Sequence, residues 1–127
     1  MQEFPRLFTQ DQANELLVTL RPLVDKLIET RDQIVAIRPD LESGVQKALG
    51  NGGSRATGKL LRLFRRVDRL INEVHSHGVL VKDLDQGLLD FPAEYEGRVV
   101  LLCWKHGEPS VSHWHDMDAG FAGRRPL

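Results

Sequence analysis

The hydrophobic period of this chain changes once, at Gly78, and that change fixes the class of fold open to it. Ahead of Gly78, apolar residues recur every three to four positions, the repeat of helices with one buried stripe. Beyond it they alternate every second position, the repeat of strands. A helical half followed by a strand half predicts an α+β fold, a long antiparallel helical hairpin packed on a small four-stranded antiparallel β-meander. At 127 residues the chain reads as one domain, with the hairpin over 8–77 and the meander plus an irregular tail over 78–127.

Thr9 followed by Gln12 has the form of a capping box. Ala13, Leu16, Leu20, Leu23, Leu27, Ile34, Ile37 and Leu41 then lie on one stripe broken only at Thr30, and Leu17, Val24, Ile28 and Val35 widen it. Pro22 is expected to kink this helix. Pro39 is expected to end it, because a residue ahead of proline, here Arg38, is pushed out of the helical region. Residues 40–56 read as a connector in which Asp40 to Leu49 can form a short helix and Gly50 to Ser54 is flexible by composition. A second helix is predicted from Thr57 to His77, with Leu60, Leu63, Val67, Leu70 and Val74 as its seam, Phe64 and Ile71 beside it, and Gly78 as its stop. The first helix carries more apolar width than one partner helix covers, which predicts a homodimer through the helices.

Four strands are predicted, Val79 to Lys82, Leu88 to Phe91, Arg98 to Lys105 and Val111 to His115. Turn formers separate them at Asp83 to Gly87, Pro92 to Gly97 and His106 to Pro109. An even loop centred on Gly107-Glu108 pairs Trp104 with Val111, Leu102 with His113 and Val100 with His115, placing all six on one face. Val99, Leu101, Cys103, Ser112 and Trp114 then occupy the other. The strand from Arg98 is apolar on both faces, so it reads as central, covered by the helices on one side and partly by Phe121 and Leu127 on the other. The tail from Asp116 to Leu127 is expected to cross the sheet without forming an element.

Composition narrows the classes further. With 41% hydrophobic and 28% charged residues the chain has the make-up of a globular protein, not a disordered one. No apolar run approaches the roughly 18 residues of a membrane span. The segment from Met1 to Arg6 lacks the basic-then-apolar order of a secretory signal. A single cysteine, Cys103, fits a reducing compartment, so a cytoplasmic location without membrane contact is expected. Residues 1–78 hold 12 Lys/Arg against 10 Asp/Glu, and residues 79–127 hold 5 against 8. So slight a basic excess argues against nucleic acid as a partner.

Several polar groupings offer chemistry. Gly53 to Lys59 has the spacing of a phosphate-binding loop, but Leu60 stands where a hydroxyl should reach magnesium and no strand leads in. Asp83, Asp85 and Glu94 have part of a calcium loop's spacing, yet Gly87 occupies its fifth position; a turn is the simpler reading. Arg55, Lys59, Arg62, Arg66 and Arg69, with Arg65 adjacent, make a basic stripe, read either as phosphate contacts or as a face solvated or paired with Asp25, Glu29 and Asp32. Cys103 reads as a buried thiol rather than a nucleophile. His75 and His77 complement a helix C-terminus. The densest cluster is His113-Trp114-His115-Asp116-Met117-Asp118, where two histidines at i and i+2 with a carboxylate from Asp116 or Asp118 could hold a divalent metal. Asp83, Asp85 and Asp90 could add a carboxylate, and Arg124 could fold back beside them.

Phe8-Thr9, Arg21-Pro22-Leu23, the run Gly78 to Gly87, Asp90-Phe91-Pro92, Leu102-Cys103-Trp104, Gly107-Glu108-Pro109 and the run Trp114 to Arg124 together resemble the bacterial "domain of unknown function 2203" family. The resemblance covers nearly the whole chain and is weakest over 40–56. It implies a small bacterial protein with no assigned activity. The family's polar pattern falls on Lys82, Asp83, Asp85, Asp90, Glu108, His115, Asp116, Asp118 and Arg124. An aromatic such as tyrosine usually stands where this chain has His113, which favours His115 with Asp116 and Asp118 over the paired histidines.

No catalytic signature is present, so two classes of function remain. One is a non-catalytic interaction or assembly protein with a further protein partner, using the hairpin for assembly. The other is a metal-binding or metal-dependent hydrolytic protein with its site at His115, Asp116 and Asp118.

Overall fold

The computed structural model describes residues 4–47 and 54–127 and has the expected α+β class. Helix α1 spans Gln10–Lys47 and helix α2 spans Ser54–Ser76. The capping box forms as predicted: the Thr9 amide donates to Gln12 Oε1 at 3.0 Å, and the Gln12 amide donates to Thr9 Oγ1 at 3.1 Å. Helix α1 continues through Pro22 and also through Pro39, which was expected to end it. A proline inside a helix forfeits one hydrogen bond and crowds one carbonyl, about 3 kcal/mol, and the helix formers Leu41, Glu42, Gln46 and Lys47 resume the helix beyond Pro39. The predicted connector is thereby shortened at both ends, and Gly50 to Gly53 lie outside the described residues.

Helix α2 ends as its sequence dictates. Gly78 adopts φ +83°, and its amide donates to the His75 carbonyl at 2.9 Å. The Cα of Gly78 faces Arg6 and Phe8, so the end of α2 meets the start of α1 and the hairpin is antiparallel.

The sheet has five strands in sequential order, β1 (Leu80–Asp83), β2 (Leu88–Tyr95), β3 (Arg98–Lys105), β4 (His113–His115) and β5 (Arg125–Pro126), with every neighbouring pair antiparallel. Besides the fifth strand, several boundaries differ from expectation: β1 lies one residue later and β4 starts two residues later than predicted. Strand β2 runs through Pro92 to Tyr95, and the turn shrinks to Glu96-Gly97, whose φ values of 50° and 77° are those of a tight hairpin turn. Proline is tolerated there because its carbonyl accepts the Phe8 amide at 2.7 Å, so this residue's backbone polar edge faces away from β3 and no ladder bond to β3 is lost. The tail is also more ordered than predicted. A 3-10 turn at Phe121–Gly123 leads into β5, which pairs with β4.

The largest correction is register. Leu101 pairs with His115, Leu102 with Trp114 and Cys103 with His113, one residue away from the predicted alignment. A slip of one residue moves every side chain of a strand to the opposite face. Trp114 therefore joins Phe91, Val100, Leu102 and Trp104 on the helix side, while His113 and His115 face away from it with Cys103. The shift arises in the 106–112 loop. Val111 donates to Asn14 Oδ1 at 2.7 Å and its carbonyl accepts from Gln10 and Asn14, so it is held by α1 instead of pairing with Trp104.

Leu17, Leu20, Val24 and Leu27 of α1 share one buried cluster with Val67, Leu70 and Val74 of α2 and with the helix-side face of the sheet. The width of the α1 stripe thus serves two internal partners. Among the described residues, no helix is long and apolar enough to cross a membrane.

Candidate functional site

Three polar side chains are buried among the described residues, Thr30, Asp90 and His115. Thr30 is satisfied within its helix, its hydroxyl donating to the Lys26 carbonyl at 2.7 Å. Asp90 and His115 meet on the far face of the sheet, His115 Nε2 3.1 Å from Asp90 Oδ1. Strand pairing explains the encounter: Asp90 of β2 lies directly opposite Cys103 of β3, and His115 of β4 lies one step along the same face, opposite Leu101. The Cys103 sulfur lies within 4.8 Å of the donor atoms of both.

The protonation of this trio is constrained by geometry. His115 Nδ1 is 2.7 Å from the Asp116 carbonyl, which can only accept, so Nδ1 carries a hydrogen. The contact between Nε2 and Asp90 then holds one proton. Burial raises the Asp90 pKa above its ordinary 3.8, opposed by His115, Lys82 and the Cys103 thiol. Burial, together with the nearby Asp90, pushes the Cys103 thiol up to about 11. Both His115 nitrogens are engaged, and neither is left to take a proton from Cys103. The arrangement lacks what an activated cysteine nucleophile requires.

The trio brings together donor atoms of the kinds that hold a metal ion. One donor atom from each of Asp90, Cys103 and His115 lies within 4.8 Å of the other two. They form part of the lining of a pocket of about 310 Å³, with Leu88 and Leu101 beside them and Lys82, Gln86, Met117 and Phe121 around it. A second ion-paired group flanks the pocket. Arg124 grips Glu108 through both guanidinium nitrogens, with Nη1 3.0 Å from Oε1, and the same Nη1 lies 3.9 Å from Cys103 Sγ. The Arg124 hydrogen bonds hold the Glu108 carboxyl below its usual range, helped by the Lys105 amide at 2.7 Å. Phe121 is held over this region by the cations of Arg124 and Lys105, 4.6 and 5.6 Å from its ring centre.

The residues singled out in the sequence scatter around this centre. His115 and Asp90 form it. Asp116 is on the opposite face, its Oδ1 3.0 Å from Arg98 Nε, and Asp118 is exposed at the tail turn, so neither carboxylate is directed at His115. His113 shares the His115 face but turns toward Ser112 and Glu108, at 3.1 and 3.9 Å. Asp83 accepts from the Gln86 amide at 3.2 Å, as a turn residue does, and Asp85 is exposed, its carbonyl accepting from Arg31. Ser54 to Lys59 are helical, which removes the loop from the phosphate-binding reading. Cys103 is the member that sequence reasoning assigned only a packing role. The signal for it was Asp90 itself, a lone carboxylate inside the apolar run from Leu88 to Ala93, which the Glu96-Gly97 turn places opposite Cys103.

A groove of about 620 Å³ lies on the helix side, between Leu7, Tyr95, Trp114 and Leu127. It gathers aromatic and aliphatic surface but neither buried polar residue of the sheet. Residues 6–127 match the profile of the family described as "Uncharacterized conserved protein (DUF2203)", and the chain belongs to that family. No curated protein and no solved structure matches it.

Proposed function

We propose that this protein binds a divalent transition metal of the zinc class through Asp90, Cys103 and His115. The observation that carries this reading is the convergence of those three donors at a buried point that opens into a pocket. Nitrogen, oxygen and sulfur together suit zinc, whose ligand atoms sit ~2.0–2.3 Å from the ion and hence ~3.3–3.8 Å from one another. The 3.1 Å between His115 Nε2 and Asp90 Oδ1 is already close to that spacing. The Nδ1–H bond to the Asp116 carbonyl fixes the ring as backbone carbonyls commonly do for metal-bound histidines. A carboxylate, a thiolate and a neutral imidazole would cancel the charge of a divalent ion, the least costly state to bury. Three protein ligands leave a fourth position facing the pocket, the arrangement in which zinc can hold a water or a substrate.

Titration of chelator-stripped protein with Co²⁺ tests the reading. A sulfur-to-metal charge-transfer band is expected for wild type, absent in Cys103→Ser and undiminished in Asp116→Ala. Failure of folded wild type to bind Co²⁺ or Zn²⁺ at micromolar concentration would sink it.

Assembly through the helices is the second reading, favoured by Val18, Leu61 and Phe64, which are 74%, 50% and 49% exposed. Light scattering at twice the 14.4 kDa chain mass is the expected result, and the chain mass itself would exclude it.

A further inference from the structure

We infer that the exposed basic flank of α2 docks on the phosphate backbone of double-stranded DNA, a reading independent of the metal site. At ~100° per residue, Arg55, Lys59, Arg62, Arg66 and Arg69 fall within about 80° of arc, with Arg65 roughly 40° beyond, and the row is about 21 Å long. All are exposed except Arg66, which is half-buried. Leu63, Val67, Leu70 and Val74 are buried on the same helix, so the row is presented on a rigid support.

The bland explanation of such a row is neutralisation by the neighbouring helix, and the described acids of that helix do not supply it. Asp25 pairs with His106 at 2.8 Å and Asp32 with Arg31 at 2.8 Å. Among the described residues, none of the six cations forms an ion pair, neither with Glu29 of α1 nor with Asp68 or Glu73 of α2 itself. Six cations on one helix flank, with no ion pair among the described residues, outweigh the overall charge of −1, because a polyanion meets the local surface and screening at physiological salt cuts off beyond about 8 Å.

The chemistry around the row selects the polyanion. Single strands are held by aromatic side chains that stack on bases, and the arc contains none; Phe64 lies about 180° round the helix from its centre. A membrane surface calls for apolar side chains beside the cations, and Leu61 is about 120° away. A straight, regularly spaced row of cations without stacking groups matches the backbone of a duplex. Contact of this kind reads phosphates and not bases, so binding should be indifferent to sequence.

Fluorescence anisotropy with a mixed-sequence duplex over a salt series tests the inference. With about five phosphates contacted, the slope of log affinity against log salt should be roughly −4.5. Arg62→Ala/Arg66→Ala should weaken binding about tenfold or more and flatten the slope by roughly 1.8. Alanine is the best helix former, so the variant should keep its helical circular dichroism, and Arg62→Glu/Arg66→Glu gives a second variant of opposite charge. Absence of binding at low salt overturns the inference, as does unaltered affinity in both folded variants. Tighter binding to single-stranded RNA, to anionic vesicles or to polyglutamate would overturn it in favour of those partners.

Discussion

Nε2 of His115 lies 3.1 Å from Oδ1 of Asp90, and both side chains are only 3% exposed. Each is the other's main polar partner, so removing one strands the other where water cannot replace it. His115→Ala should cost roughly 3–5 kcal/mol of folding stability. Asp90→Asn keeps a hydrogen bond to the ring and should cost less than about 1.5 kcal/mol. Urea unfolding of both variants measures the difference; equal losses would mean that the pair is not a unit.

The pH dependence contributed by Asp90 has a definite sign. Asp90 holds its proton more tightly folded than unfolded, so its contribution weakens as pH rises from the ordinary carboxylate value through the raised folded one. Asp90→Asn should flatten that part of the stability profile. A profile identical to wild type as pH rises from the ordinary carboxylate value of about 3.9 toward neutrality would contradict the assignment.

Glu108 behaves in the opposite sense. Its pKa is lowered chiefly by Arg124, so the stabilisation it gives is present above its ordinary value of 4.5 and is lost as pH falls through the folded one. Glu108→Gln should cost about 1 kcal/mol near neutral pH, discounted for the water that reaches a half-buried pair. Hydrogen exchange should speed up at Arg124 and Leu127, the tail amides bonded to Phe121 and Ser112. Unchanged tail protection would separate the ion pair from the order of the tail.

Cys103 is buried and its thiol is pushed up to about 11. Native protein should therefore react with iodoacetamide near neutral pH far more slowly than urea-unfolded protein. Comparable rates in the two states would show that the sulfur is reachable as a thiolate.

Gly87 has φ +65°, and a Cβ there would sit 2.6 Å from the Cβ of His106 while the Gly87 carbonyl accepts the His106 amide at 2.9 Å. Gly87→Ala should lower stability by about 1–3 kcal/mol through backbone strain and the displaced turn. A thermal midpoint equal to wild type would refute this.

What the sequence disclosed was what local physics controls: the capping box at Thr9, the α2 seam from Leu63 to Val74 though not Leu60 or the exposed Phe64, the Gly78 stop and the extent of β3. The two errors at prolines share a cause. The local preferences of Pro39 and Pro92 both argue for a break, yet the helix resumes past one and the other lies where its missing donor costs no bond to β3. Register was hidden for a different reason. The 106–112 loop is set by Asn14 and Gln10, about a hundred positions away in sequence, and by Trp104 Nε1 donating to the Glu108 carbonyl at 2.9 Å. The candidate site inherited that error. Its histidine and one carboxylate were named, but which neighbours they would meet depended on a register that no turn propensity encodes.

The sequential order of the strands bears on how the chain reaches this state. Each strand pairs with the strand next to it in sequence, and α2 follows α1 directly, so both halves can assemble from nearby pieces with little loop-closure entropy. Joining the halves is the non-local step, and its polar latches include Asn14 with Val111, 97 positions apart, and Arg21 with the Pro109 carbonyl, 88 apart. Substitutions at these latches should chiefly accelerate unfolding, while substitutions in the Glu96-Gly97 hairpin should slow folding. Because Val111 fixes the register of β4, the surface that gathers Asp90, Cys103 and His115 would be completed only when the two halves dock.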